Sequence, residues 1–237
     1  MHSSGGGDLL LRRGARLPAL TRGSSIYEDR AAAGRQLAEL LAGRVGYADA
    51  IVLGLPRGGV PVAHEVARRL GAPLDIFVVR KLGVPGQEEL AMGAIASGGV
   101  RVINPEVVEM AGIGPAELEA VAGREQAVLE RHEHELRGER AALRLESRSA
   151  ILVDDGLATG ATMRAAIEAV RRSGAQRVLV AVPVAPLQSC DALAAEADEL
   201  LCPLTPEPFI AVGAWYRDFA PVTDDEVRAL LAGDVLR

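Results

Sequence analysis

The sequence predicts an α/β fold built on a parallel sheet, and three observations carry that prediction. Short apolar runs alternate with segments of helical periodicity along most of the chain, which is the pattern of right-handed βαβ units. Aromatic residues make up only 3% of the 237 residues while hydrophobic residues make up 49%. The core must therefore be assembled from Ala, Val, Leu and Ile, the usual filling of strands covered on both faces. A chain of this length buries roughly 70–75% of its unfolded surface, which suits one domain with a small accessory region.

Residues 1–25 open with a Gly-rich stretch and place Leu9, Leu10 and Leu11 before Arg12 and Arg13. That apolar run is too short for a signal sequence, and the segment reads as a flexible tail. Residues 26–237 read as a single domain. Residues 27–41 set Ala33, Leu37, Leu40 and Leu41 on one helical face, with Asp29 near the start. Residues 50–55 are a short apolar run bounded by Gly and Pro, and 60–70 return to helical period, giving strand, loop and helix. Residues 74–79 form a second strand. The polar, Gly-rich stretch at about 80–99 follows, and it predicts either a mobile functional loop or a short hairpin. Residues 116–137 read as a long charged helix, 150–153 as the third strand and 161–173 as its helix. Residues 177–184 are the fourth strand, 187–195 a helix and 199–202 the fifth strand. Ligands of such a sheet bind at the carboxyl ends of its strands.

Composition excludes several functions. The chain has 26 Lys and Arg against 32 Asp and Glu, a net charge of −6, so it lacks the basic face of a nucleic-acid binder. No run approaches the roughly 18–20 apolar residues of a membrane span. Cys190 and Cys202 are the only cysteines; without a framework or a CxxC pair they read as core residues of a protein of the reducing cytoplasm. His132 and His134 stand two apart, unlike the i, i+4 pair of a zinc helix. Residues 156–162 are no Walker A loop, because no Lys precedes Thr162, and residues 54–59 lack the dinucleotide spacing.

The densest chemistry lies at 150–163 (AILVDDGLATGATM). An apolar strand ends at Asp154 and Asp155, which places two carboxylates at the rim of the sheet. There they can accept hydrogen bonds from a sugar diol or help to hold a hydrated Mg²⁺. Ala158, Thr159, Gly160, Ala161 and Thr162 then offer backbone N–H groups and two hydroxyls at a helix N-terminus, an anion site suited to a phosphate monoester. Turn chemistry alone requires neither paired acids nor two threonines. A second loop leaves the first strand through Arg57, Gly58 and Gly59, a bidentate donor fork beside backbone free to approach an anion.

The 150–163 string resembles the ribose-phosphate motif of the type I phosphoribosyltransferases, enzymes that use 5-phosphoribosyl 1-pyrophosphate (PRPP). Gly156 stands where a larger apolar residue is common in that family, and Ala161 where Gly is common. The resemblance implies that Asp154 and Asp155 meet the ribose hydroxyls and that residues 158–162 hold the 5′-phosphate. Arg57, Gly58 and Gly59 resemble the family's pyrophosphate loop. Residues 78–96 resemble the flexible catalytic loop of adenine-type members, which implies that Arg80 and Lys81, the only lysine of the chain, close over the pyrophosphate and stabilise its charge. Glu88 and Glu89 read as solvated charges, and Glu89 is also placed to hold Mg²⁺ or to order the closed loop. The segment 209–227 holds Phe209, Tyr216, Phe219 and the single Trp, Trp215. Its position resembles the hood that the family sets over the acceptor, at about 203–237. Trp215 and Tyr216 serve equally to stack on a flat base or to pack a flap against the core.

Taken whole, the resemblance implies a parallel-sheet core of about five strands with helices on both faces and a small C-terminal hood. It implies a Mg²⁺-dependent, cytoplasmic, homodimeric transferase that moves the 5-phosphoribosyl group of PRPP to a nitrogen acceptor, a nucleobase or a related molecule, and releases pyrophosphate. The catalytic set would be Asp154, Asp155, Arg57, Arg80 and Lys81, with Asp154 and Asp155 reaching the metal largely through water. No general base is evident. The alternative is a sensor that binds PRPP or a nucleotide without catalysis; Arg80 and Lys81 favour the enzyme. As a rim carboxylate outside the core, Asp155 is expected to tolerate replacement by Asn without loss of fold.

Overall fold

The computed structural model describes residues 15–16, 26–42 and 49–233. The tail expected at 1–25 lies outside the described residues apart from Ala15 and Arg16, which form β1 (Ala15–Arg16) at a sheet edge. The five anticipated strands are present as β2 (Ile51–Gly54), β3 (Leu74–Ile76), β7 (Ser149–Val153), β8 (Arg177–Ala181) and β9 (Glu199–Leu201). The sheet runs β1-β9-β8-β7-β2-β3, and every pairing is parallel.

Alternation along these strands divides the core in two, because successive side chains point to opposite faces. Val52, Ile151, Val153, Leu179 and Leu201 enter one apolar cluster with Leu37 and Leu41 of α1 (Arg30–Leu41) and Val62 and Val66 of α2 (Gly59–Leu70). Ile51, Leu53, Leu152, Val178 and Leu200 enter the other, with Met163 and Ile167 of α5 (Ala161–Arg172) and Leu193 of α6 (Leu187–Ala194). Cys190 and Cys202 are buried in that second cluster. Helices thus cover both faces, as the sequence predicts.

Two strands are shorter than the apolar runs that encode them. The run at 74–79 stops being β3 after Ile76, where Phe77 donates back to the Gly54 carbonyl and Val78 donates to the Ser97 hydroxyl. The run at 177–184 loses its ladder at Pro183, which has no N–H to give, and pairing resumes only as a bridge between Val184 and Leu204.

Residues 80–99 form a hairpin. β4 (Val79–Val84) and β5 (Gln87–Ala96) turn at Gly86, and β6 (Val100–Ile103) completes an antiparallel sheet. The chain continues through α3 (Pro105–Met110) and α4 (Pro115–Arg137). α4 is tied to the main sheet by Arg137, whose Nε lies 3.0 Å from the buried carboxylate of Asp75. The C-terminal region carries a 3-10 turn at Val212–Trp215 and α7 (Asp224–Ala232), which packs against α2 and α4. Among the described residues no helix is long and apolar enough to cross a membrane.

Candidate functional site

Strand order fixes where a ligand can sit. From β2 the chain winds through α2 to β3 on one side, then returns to β7 on the other, so the direction of winding reverses between β2 and β7. In open α/β sheets the crevice beyond the carboxyl ends at such a reversal is the ligand site. The loops leaving β2 and β7 are the two that the sequence singles out, and they touch. Leu55 donates to the Val153 carbonyl at 2.9 Å. A Cβ on Gly59 would lie 2.6 Å from that same carbonyl oxygen and 3.1 Å from Asp154 Oδ1, and one on Gly58 would lie 2.1 Å from Asp155 Oδ2. The Asp155 carboxylate leaves no room for a side chain at 58, and the backbone at the end of β7 leaves none at 59.

Asp154 and Asp155 are half-buried at the end of β7. Asp154 Oδ1 accepts from the Asp155 amide at 2.9 Å, and Asp155 Oδ2 accepts from Arg30 Nε at 2.8 Å. Burial, reinforced by the charge of Asp155, holds the Asp154 carboxyl well above the usual carboxylate range. Burial also raises Asp155, against the pull of the Arg30 guanidinium.

Beyond the acids the chain rises into the anion loop. Ala158, Thr159, Ala161 and Thr162 are exposed, and Gly160 takes φ +73° to turn the backbone into α5. The N-cap Gly160 offers no side chain and the first turn holds no acid; Thr159 Oγ1 accepts from the Ala161 amide at 3.4 Å, and the end of the helix carries positive dipole without a counter-charge. Ser189 of α6 donates to the Ala158 carbonyl at 2.6 Å and steadies the loop from behind.

The remaining candidates are placed less directly. Arg57 is exposed and faces Asp224 of α7 at 3.5 Å. Arg80 pairs with Glu125 of α4 at 2.7 Å, and Lys81 with Glu89 at 3.3 Å; these side chains, with Glu88 and Arg124, line a groove of about 490 Å³ between the hairpin and α4. None of their described bonds reaches the acid pair. Tyr216 is buried between Tyr27 and Phe219, with ring centroids 5.5 and 5.0 Å away, and its hydroxyl donates to the Asp155 carbonyl at 2.5 Å. It thus meets the site through its hydroxyl, with its ring packed inside the hood. Trp215 is half-buried, and its indole N–H finds no acceptor among the described residues.

Sequence reasoning missed Arg30, Asp224 and Val212. One signal for Arg30 was available: a cation in the first turn of a helix opposes the macrodipole, so its place there needs a specific partner. Val212 fills the space beside Gly156, where an added Cβ would come within 2.5 Å of its Cγ1.

Fold and site together define a doubly wound α/β protein with an acid pair and a glycine-containing loop into a helix N-terminus at the switch point. Residues 23–213 match the family described as "Phosphoribosyl transferase domain", and the chain belongs to that family. It is 50% identical over 206 residues to "Putative phosphoribosyl transferase Rv0571c" of Mycobacterium tuberculosis H37Rv, and equally to "Putative phosphoribosyl transferase MT0597" of strain CDC 1551. The match covers 87% of this chain and 46% of those relatives, so the chain spans about half their length. Among solved structures it resembles TT1426 from Thermus thermophilus, with a TM-score of 0.77 and 45% identity over 88% of this chain and 98% of that one.

Proposed function

We propose that the protein binds PRPP and transfers its 5-phosphoribosyl group to a nitrogen acceptor, a nucleobase or a related molecule, releasing pyrophosphate. The observation that carries this is the meeting, at one switch point, of two carboxylates at the end of β7 and the N-terminus of α5, which holds no acidic side chain. The chemistry of the two suits a sugar diol and a phosphate monoester of one ligand. The 5′-phosphate is held by the amides of residues 158–162 and by the hydroxyls of Thr159 and Thr162. The ribose hydroxyls donate to Asp154 and Asp155. The bond from the anomeric carbon to the pyrophosphate oxygen breaks with its electron pair going to oxygen, and the acceptor nitrogen forms the new bond to that carbon.

Arg57 holds the departing diphosphate beside Gly58 and Gly59. Arg80 and Lys81 exchange Glu125 and Glu89 for the leaving group when the hairpin closes. Positioning and charge neutralisation account for the rate. The donor set also suits Mg²⁺. Among the described residues no group of three or more His, Cys, Asp or Glu is placed to hold a metal, but Mg²⁺ commonly takes one or two carboxylates and completes its shell with water and substrate phosphates. Asp154 and Asp155 would hold it, and when bound it supplies charge neutralisation at the diphosphate. The homodimer and the cytoplasmic setting belong to the same proposal.

The test is thermal stabilisation by PRPP with Mg²⁺, followed by pyrophosphate release across a panel of nucleobases. Stabilisation with base-dependent release is the expected result. Stabilisation without release from any acceptor would favour the non-catalytic sensor, and no shift at saturating PRPP would overturn the site.

A further inference from the structure

We infer that Arg30 is a positioning residue that aims Asp155 at the ligand and couples it to the hood, an inference that rests on Asp155 being a ligand-binding carboxylate. Three contacts of one guanidinium carry it. Nε donates to Asp155 Oδ2 at 2.8 Å, Nη1 donates to the Ala220 carbonyl at 2.8 Å, and the guanidinium carbon lies 3.8 Å over the Phe219 ring. One side chain of α1 therefore touches both the acid pair and the hood, across sequence separations of 125 and 190 residues.

This is not an ordinary surface ion pair. The Arg30 and Asp155 side chains are only 11% and 14% exposed, whereas pairs of little energetic value are solvated. The β2 loop closes over the pair: a Cβ on Gly58 would lie 2.1 Å from Asp155 Oδ2 and 3.4 Å from Arg30 Nε. The hood is fastened to the same stretch of chain, since Tyr27 donates to the Trp215 carbonyl, Arg217 donates to the Tyr27 carbonyl, and Asp218 donates to the Glu28 carbonyl, at 2.8, 2.8 and 2.9 Å.

Two consequences follow from the geometry. Arg30 holds Oδ2 at 2.8 Å and so restricts the rotation of the Asp155 carboxylate. Displacing the hood would also strip Ala220 and Phe219 from the guanidinium, so the aim of Asp155 and the place of the hood are set together. Arg is suited to this where Lys is not, because a planar fork can bond, stack and donate in separate directions at once.

The test uses the full chain with PRPP and Mg²⁺, measuring PRPP affinity by calorimetry and acrylamide quenching of Trp215, the single Trp. Arg30→Ala is expected to weaken PRPP about 10–100-fold, the scale on which partners orienting ligand-binding side chains act, and to leave Trp215 more accessible. Arg30→Lys, the fallback if the Ala variant does not fold, is expected to fall between the two. In an Asp155→Asn background the Arg30 substitution should cost no further affinity, a non-additivity that a merely structural role would not show. Additive losses, or wild-type affinity and quenching in Arg30→Ala, would overturn the inference. Failure of the wild type itself to bind PRPP would instead count against the proposed function. In that case the quenching decides alone: greater accessibility supports the coupling, and an unchanged signal refutes it.

Discussion

Gly58 lies so close to Asp155 that a Cβ at position 58 would stand 2.8 Å from the carboxylate carbon. Its φ of −61° is open to any residue, so it is the acid, not the backbone, that excludes a side chain. Asp155 cannot swing away freely, because Arg30 holds it. Gly58→Ala is therefore expected to cost about 1–3 kcal/mol, the range of overpacking, and to weaken PRPP binding at least tenfold. Gly59→Ala meets the Val153 carbonyl at 2.6 Å, a backbone atom, and should cost more. Denaturant midpoints of the two variants check the order.

Asp154 and Asp155 should answer unequally to the same change. Asp154→Asn removes a charge disfavoured by burial and by its neighbour, so the ligand-free protein should melt higher. Asp155→Asn also removes a charge that burial disfavours, but it leaves the largely buried Arg30 guanidinium without its anion, which offsets the gain, so this variant should melt below Asp154→Asn. At this chain length each kcal/mol moves the melting temperature by about 2–4 °C. The structure places Asp155 at the end of β7 in a largely buried ion pair with Arg30, which ties its replacement to the fold. Equal melting temperatures for the two variants would refute this account.

The acids also set a pH dependence. Both folded-state pKa values lie above the ordinary 3.8, so between that value and the raised one the folded chain binds more protons than the unfolded chain. Stability contributed by this pair is full at low pH and is lost as pH rises through the window. Without Mg²⁺, the stability gap between Asp154→Asn and wild type should widen as pH rises from about 4 to neutrality. A gap that narrows would reverse the assigned shift.

What the sequence disclosed was the contiguous part of the site. Strand, acid pair and the loop proposed to hold phosphate occupy neighbouring positions at 150–163, so their local chemistry could be read in order. Arg30 and Asp224 escaped because only the sheet order brings them to Asp155 and Arg57, across 125 and 167 residues. The stretch at 80–99 left loop and hairpin open because its glycines suit either one. Gly83 instead marks an irregularity in the β4–β5 ladder, where an added Cβ would meet the Glu88 carbonyl at 2.7 Å. Tyr216 could be read as a stacking ring because its hydroxyl partner is a backbone carbonyl, which no residue type announces.

Arg57 and Asp224 are half-exposed and 3.5 Å apart, so their pairing contributes little to stability. Asp224 does, however, occupy the guanidinium that the proposed site assigns to pyrophosphate. Asp224→Ala should change stability by less than about 0.5 kcal/mol and tighten PRPP binding, more at low salt than at high salt. Weaker binding would mean that Asp224 orients Arg57 and does not compete for it.

Gly156 and Val212 form one of the contacts by which the C-terminal segment meets the chain just beyond β7. The backbone at 156 does not take a positive φ, so space alone dictates glycine: a Cβ would lie 2.5 Å from Val212 Cγ1 and 3.0 Å from Val184 Cγ1. Gly156→Val should cost about 1–3 kcal/mol and push Val212 outward, increasing acrylamide quenching of the nearby Trp215. Val184 stays in place, so pairing this change with Val212→Gly should recover part of the loss and no more. The coupling is read from a double-mutant cycle on melting temperature. Additive effects would show that the hood does not rest on Gly156, whereas partial recovery would make this pair the point at which a side chain at 156 and the hood exchange places beside the proposed acceptor site.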